Sequence, residues 1–187
     1  MIRRTLLVTL VVASAVTPLP ALAQFDMMNL KPILKAVREG DEEKVRQQLL
    51  KGESPNQIDA NFQPIIMVAT VAGHLAVVET LLKAGAIADT LDRDGYTSLI
   101  RATEKGDADI VEALLRRNAK PNAQTRQGVS ALMVAARLGN AEIVRLLLEK
   151  KADPNLADFT GRRALTYARQ AGRGSIEAML RKAGGRE

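Results

Sequence analysis

The amino-acid sequence predicts an all-α solenoid of five helix-turn-helix units with protruding hairpin loops, and two observations carry that prediction. Glycine recurs at Gly40, Gly73, Gly106, Gly139 and Gly172, each 33 residues after the last. With glycine at about 7% of residues, four further matches arise by chance roughly 2 times in 10^5. Alanine keeps the same period at Ala36, Ala69, Ala102, Ala135 and Ala168, and an aliphatic column runs through Ile33, Ile66, Leu99, Leu132 and Leu165. A fixed period of this length marks stacked supersecondary units that bury a shared core. The second observation is that aromatic residues make up only 3% of the chain and Trp is absent. A core filled at regular intervals by small and aliphatic side chains does not need large rings to fill irregular space.

Each unit divides into four parts. A first helix carries the aliphatic and alanine columns three residues apart, on one helical face. Alanine suits a close approach of helices that a larger side chain would overpack. The glycine column then ends that helix, because a left-handed terminal residue costs glycine nothing sterically. A second helix starts with acids that suit its positive end (Asp41, Glu42 and Glu43; Asp107 and Asp109; Glu142) and ends with bases (Lys83; Arg116 and Arg117; Lys150 and Lys151). Its apolar stripe includes a valine column at Val45, Val78, Val111 and Val144. A second stop follows at Gly52, Gly85, Asn118 and Gly184, with Lys151 as the exception. Last comes a loop: Pro55-Asn56, Ala88-Asp89, Pro121-Asn122 and Pro154-Asn155, with Asp94-Gly95, Gln127-Gly128 and Thr160-Gly161 further on. Pro, Asn, Asp and Gly in this order signal turns.

These motifs resemble the ankyrin repeat. Asp-x-x-Gly-x-Thr-x-Leu stands at Asp92 to Leu99, and Val-Val-x-x-Leu-Leu-x-x-Gly-Ala at Val77 to Ala86. The resemblance covers units at about 26–57, 58–90, 91–123, 124–156 and 157–187. It departs from the family at the start of the first helix, where Thr-Pro-Leu-His is usual. This chain has Thr97-Ser98-Leu99-Ile100, Ser130-Ala131-Leu132-Met133 and Pro64-Ile65-Ile66-Met67. The resemblance therefore implies fewer polar fastenings here, with Ile100, Met133 and Met67 burying apolar area instead. The end units read as caps: Glu177 breaks the valine column, and Gln47, Gln48 and Lys51 make the first unit's second helix polar.

Residues 1–23 read as a secretory signal peptide, with a basic start at Arg3 and Arg4, an apolar run from Leu6 to Val16, and a cleavage site at Ala21-Leu22-Ala23. The apolar run is short of the roughly 20 residues that span a bilayer. The repeat domain is then 24–187, and the location is periplasmic or secreted. Without Arg3 and Arg4, 25 basic residues face 21 acidic ones, so the net charge falls from +6 to +4. That mild excess favours solubility and acidic partners rather than nucleic acid. The absence of Cys removes disulfides, thiolate–zinc sites and thiol catalysis.

Nothing in the sequence assembles a catalytic constellation. His74 is the only histidine and follows the inter-helix glycine, where the resemblance implies a structural role. Asp89, Asp92 and Asp94 read as turn formers. Arg162, Arg163, Arg169 and Arg173 read as a solvated face. The chain is expected to be non-catalytic, monomeric and free of cofactors and metals, with a protein partner and no membrane span after signal removal. The resemblance implies binding at the hairpin tips and the exposed end of the first helix, on the concave face. Matched residue by residue, this gives Arg93, Asp94, Tyr96, Glu104 and Lys105; Arg126, Gln127, Val129, Arg137 and Leu138; and Phe159, Thr160 and Arg162. Tyr96, Phe159 and the arginines are the expected anchors, because aromatic and Arg side chains dominate binding hot spots. The expected function is an exported module that inhibits, shields or scaffolds a partner protein. The alternative is an accessory factor to an exported enzyme, for example in oxidative-stress defence.

Overall fold

The computed structural model describes residues 31–186, so the expected signal peptide lies outside the described residues. Ten helices among the described residues form five antiparallel pairs: α1 (Pro32–Glu39) with α2 (Glu42–Leu50), α3 (Ile65–Ala72) with α4 (Leu75–Lys83), α5 (Ser98–Lys105) with α6 (Ala108–Arg116), α7 (Ala131–Leu138) with α8 (Ala141–Glu149), and α9 (Ala164–Gln170) with α10 (Gly174–Lys182). Each first helix packs on the first helices of neighbouring units, and each second helix on the second helices. The aliphatic, alanine and valine columns all fall in one continuous core and are essentially inaccessible to solvent.

The turn within each pair is closed by a left-handed glycine. Gly40, Gly73, Gly106 and Gly139 cap α1, α3, α5 and α7 with φ between 71° and 79°. Asp41, Asp107 and Asn140 then cap the second helices, each side chain accepting from the backbone N–H three residues on. The fifth pair differs, because α9 ends one residue earlier, at a cap on Ala171.

Met67, Ile100 and Met133 are buried, as the missing histidines imply. The fastening between loops passes instead through the Asn/Asp column. Asn56 Oδ1 accepts from Ile87 N at 2.8 Å, Asp89 Oδ1 from Lys120 N at 2.9 Å, Asn122 Oδ1 from Asp153 N at 2.8 Å, and Asn155 Oδ1 from Arg186 N at 2.8 Å. Each of these spans 31 residues, so every loop is tied to the one after it.

Two positions carry local conflict and therefore predictions. Lys151 takes the second stop of the fourth unit in a left-handed conformation, φ 62°, although the other units place Gly or Asn there. That conformation costs a non-glycine residue about 1–2 kcal/mol, partly offset by the greater freedom of glycine when unfolded. Lys151→Gly is expected to stabilise the fold by about 0.5–1 kcal/mol in urea unfolding, with Asn118→Gly gaining less because Asn tolerates this region. Ser98 begins α5 fully buried, and its hydroxyl has no hydrogen-bond partner. At the first helical position proline loses no helical bond. Thr97, at φ −90° and ψ 162°, already holds the extended backbone that a following proline requires. Ser98→Pro is expected to raise stability by about 1 kcal/mol in thermal unfolding.

Candidate protein-binding surface

The hairpins share one backbone pattern. The first residue of each tip (Asp59, Asp92, Thr125, Asp158) donates its N–H to the carbonyl four residues on and accepts from the N–H three residues on, at 2.8–3.0 Å. The side chain at that position completes the turn. Asp92 Oδ1 accepts from Asp94 N and Tyr96 N, while Oδ2 accepts from Arg101 Nη2 at 2.7 Å and Nε at 3.1 Å. Asp158 Oδ1 accepts from Thr160 N, Thr160 Oγ1 and Arg162 N; its Oδ2 accepts from Arg162 Nε at 2.9 Å and Tyr167 Oη at 2.7 Å. Asp59 holds Asn61 N and Gln63 N, and pairs with Arg38 of the preceding unit at 2.9 Å.

Burial pushes each of these carboxyls up, and the hydrogen bonds from backbone and side chains outweigh it, so all three sit below the ordinary aspartate range. Burial and the Asp158 hydrogen bond push the Tyr167 phenol the other way, upward. In the fourth unit Thr125 does the same work with an uncharged oxygen, accepting from Gln127 N and Val129 N.

That exchange fits the column beside it. In the third, fourth and fifth units the hairpin end and the first helix behind it contribute two facing positions: Tyr96 and Arg101, then Val129 and Val134, then Arg162 and Tyr167; in the second unit these are Gln63 and Val68, and Asp59 takes its arginine from the preceding unit. In the third unit the helix supplies the arginine and the hairpin the ring, with Arg101 Cζ 3.7 Å from the Tyr96 centroid. In the fifth the roles are exchanged, with Arg162 Cζ 4.9 Å from the Tyr167 centroid. The fourth unit, between them, is aliphatic at both positions, so no arginine stands there to pair with a buried aspartate.

Two depressions open on this face. One, of about 340 Å³, is lined by Tyr96, Glu104, Val129, Val134, Arg137, Arg162 and Tyr167. The other, of about 330 Å³, is lined by Asp94, Tyr96, Arg101, Arg126 and Gln127, and Tyr96 forms the wall between them. A larger hollow of about 470 Å³, lined by Leu49, Leu50 and Thr80 among others, lies on the second helices of the first two units.

Of the residues expected to contact a partner, Asp94, Tyr96, Glu104, Arg126, Gln127, Val129, Arg137 and Arg162 line these two depressions. Arg93, Lys105, Leu138, Phe159 and Thr160 are exposed outside them. Arg93 stacks on Phe62 of the preceding tip, Cζ 4.3 Å from the ring centroid. Phe159 lies over the preceding tip in the same way: its N donates to Gln127 O at 3.1 Å, and a Cβ on Gly128 would come within 2.8 Å of its ring. Arg126 lies over Gly95 likewise, its Cγ 2.6 Å from where a Cβ would stand. The hairpin tips are thus stacked, each leading side chain resting on the glycine position of the tip before. Thr160 is spent on Asp158.

Sequence reasoning missed Arg101, Val134 and Tyr167, whose helical column (Val68, Arg101, Val134, Tyr167) repeats no residue type except valine. It also missed Phe62, which occupies the glycine position of the second hairpin at φ 61° and stays largely exposed. The signal was there, since Gly95, Gly128 and Gly161 have Phe62 as their counterpart one period earlier.

His74 has a structural place. Its ring rests against Gly40, and Nε2 lies 3.2 Å from Arg38 O. Arg173 repeats this contact three periods later, with Nε donating to Arg137 O at 3.5 Å and the side chain resting against Gly139. Among the described residues no group of three or more His, Cys, Asp or Glu could hold a metal ion, and no helix is long and apolar enough to cross a membrane.

No curated protein matches the chain significantly. The family described as Ankyrin repeats (3 copies) matches residues 33–125 and 117–185, nearly all of the described chain. Ankyrin repeats are generic protein-binding modules. With its five helix pairs, its stacked hairpins and this match, the chain belongs to the ankyrin-repeat family.

Proposed function

We propose that the chain is an exported, non-catalytic binding module that inhibits, shields or scaffolds a partner protein through the face built by its hairpins and first helices. The observation that carries the reading is the pair of depressions meeting at Tyr96, which gathers side chains from three consecutive units into one surface. Tyr96 is half-buried by the Arg101 guanidinium, so a partner would meet a ring already held in place. An anchor fixed in its bound position loses little conformational freedom on binding. Export rests on residues 1–23 alone, and the periplasm is the compartment proposed.

The test is crosslinking of the tagged protein in its native cells, followed by mass spectrometry of what is captured and of the chain's own N-terminus. One partner captured by the wild type and lost by the variant Tyr96→Ala, Arg126→Ala, Arg137→Ala is the expected result, with a mature chain beginning at Gln24. A partner retained by that variant would place the binding surface elsewhere, and an intact Met1 would overturn export.

A further inference from the structure

The structure carries a further assignment, which rests on the reading of this face as the binding surface and concerns what it binds. We propose that the depression between Tyr96 and Tyr167 receives an acidic segment of the partner, which sets one apolar side chain on Val129 and Tyr96 and its carboxylates against Arg126 and Arg137.

The apolar character of this spot traces to Thr125. In the second, third and fifth units the buried cap is an aspartate, and each one draws an arginine over itself: Arg38 on Asp59, Arg101 on Asp92, Arg162 on Asp158. A threonine cap makes no such demand, and the fourth unit is left with valine at both facing positions. The result is a hollow of about 340 Å³ with Val129 partly open at its floor, Val134 and Tyr167 buried behind it and the Tyr96 ring at its side. Val129 remains partly accessible, so an entering side chain would remove apolar surface from water.

The free charge is set by which arginines are already paired. Arg101 is shared among Asp92, Asp94 and Glu104, at 2.7, 3.4 and 3.1 Å. Arg162 is held by Asp158 at 2.9 Å. The two acids on the rim, Asp94 and Glu104, are therefore both turned toward Arg101. Arg126 and Arg137 are exposed and make no ion pair with any described residue. The buried carboxylates of Asp92 and Asp158 are sealed beneath the surface, only 2% and 1% exposed, and offer nothing to a visitor. The charge left to face a partner is positive, beside a hollow that mixes apolar and charged side chains. An acidic segment with one apolar side chain complements both, whereas a basic segment would meet two uncompensated guanidinium groups.

The experiment is selection of random phage-displayed dodecapeptides on the immobilised full chain, with binding of the enriched peptides then measured to the wild type and to Arg126→Glu, Arg137→Glu. Both positions are exposed, and circular dichroism verifies that the double variant is folded. Enrichment of acidic peptides around one aliphatic or aromatic residue is expected. These should bind the double variant roughly tenfold more weakly or worse, and lose binding when the apolar residue becomes alanine. Their lysine-substituted versions should prefer the double variant. No enrichment, enrichment of basic or uncharged peptides, or equal binding to both proteins would overturn the acidic assignment. Peptides that also bind a Tyr96→Ala variant unchanged would take the reading of this face down as well.

Discussion

Gly128→Ala is expected to destabilise the protein by about 3 kcal/mol, and Gly161→Ala by only about 1 kcal/mol. The two glycines occupy the same position in consecutive hairpins with nearly the same backbone, φ 80° and 82°. The left-handed penalty for adding a Cβ is therefore common to both. What differs is the neighbour. A Cβ on Gly128 would stand 2.8 Å from Phe159 N and 3.0 Å from Asp158 Cα, both backbone atoms of the next hairpin, whereas nothing lies within 4 Å of one on Gly161. Backbone held by its own hairpin bonds cannot step aside as a flexible side chain can, so the fourth and fifth tips must separate. Urea unfolding of the two variants side by side isolates the stacking contribution as their difference. Equal losses would show that the tips are not in contact in solution.

The second large effect lies one hydrogen-bond layer deeper. Asp158→Asn is expected to cost about 2–3 kcal/mol at neutral pH. The carboxylate accepts five hydrogen bonds, and two of its donors are backbone N–H groups of the hairpin itself. An amide has one acceptor oxygen, so its NH2 must face a donor that cannot accept, either Arg162 Nε–H or the backbone N–H groups of the turn. Part of the loss is softened because Arg162 is 43% exposed and regains water. The pH dependence follows from the depressed pKa. A carboxyl that titrates lower in the folded protein than its value of 3.8 in the unfolded chain contributes its stability above that pH. The contribution is lost as pH falls through the folded value. The gap between wild type and Asp158→Asn should therefore be full at pH 7 and close as the solution is taken below about 4. A gap that stays constant to pH 3 would mean the carboxylate is not preferentially ionised in the fold.

How much of this was legible beforehand depends on the kind of contact. The core columns were readable because close helix packing tolerates few residue types at each position. The same constraint recurs every 33 residues, so the repeats reveal one another. The left-handed glycines were readable for a related reason, since a steric requirement has few solutions. Lys151 and Phe62 show the limit: both adopt the glycine conformation with a side chain that conceals it. The candidate surface was legible as positions but not as an arrangement. Tyr96 and Arg162 could be picked out as aromatic and basic residues at exposed positions. That each pairs with a residue five places on, and that the pairing is inverted between the third and fifth units, depends on how a hairpin end folds back over its own helix. No repetition advertises it, because a binding face is the part of a repeat that is free to differ.

The stacking of tip on tip also constrains how such a chain could be rebuilt. Each seam carries its own matched key: Phe62 with Arg93, Gly95 with Arg126, Gly128 with Phe159, Gly40 with His74, Gly139 with Arg173. Exchanging two interior units would set a lock against the wrong key even though every core column stayed in register. Not every left-handed glycine is keyed: Gly73, Gly161 and Gly172 have nothing within 4 Å of an added Cβ. The order of the units is thus written at the seams as well as in the core.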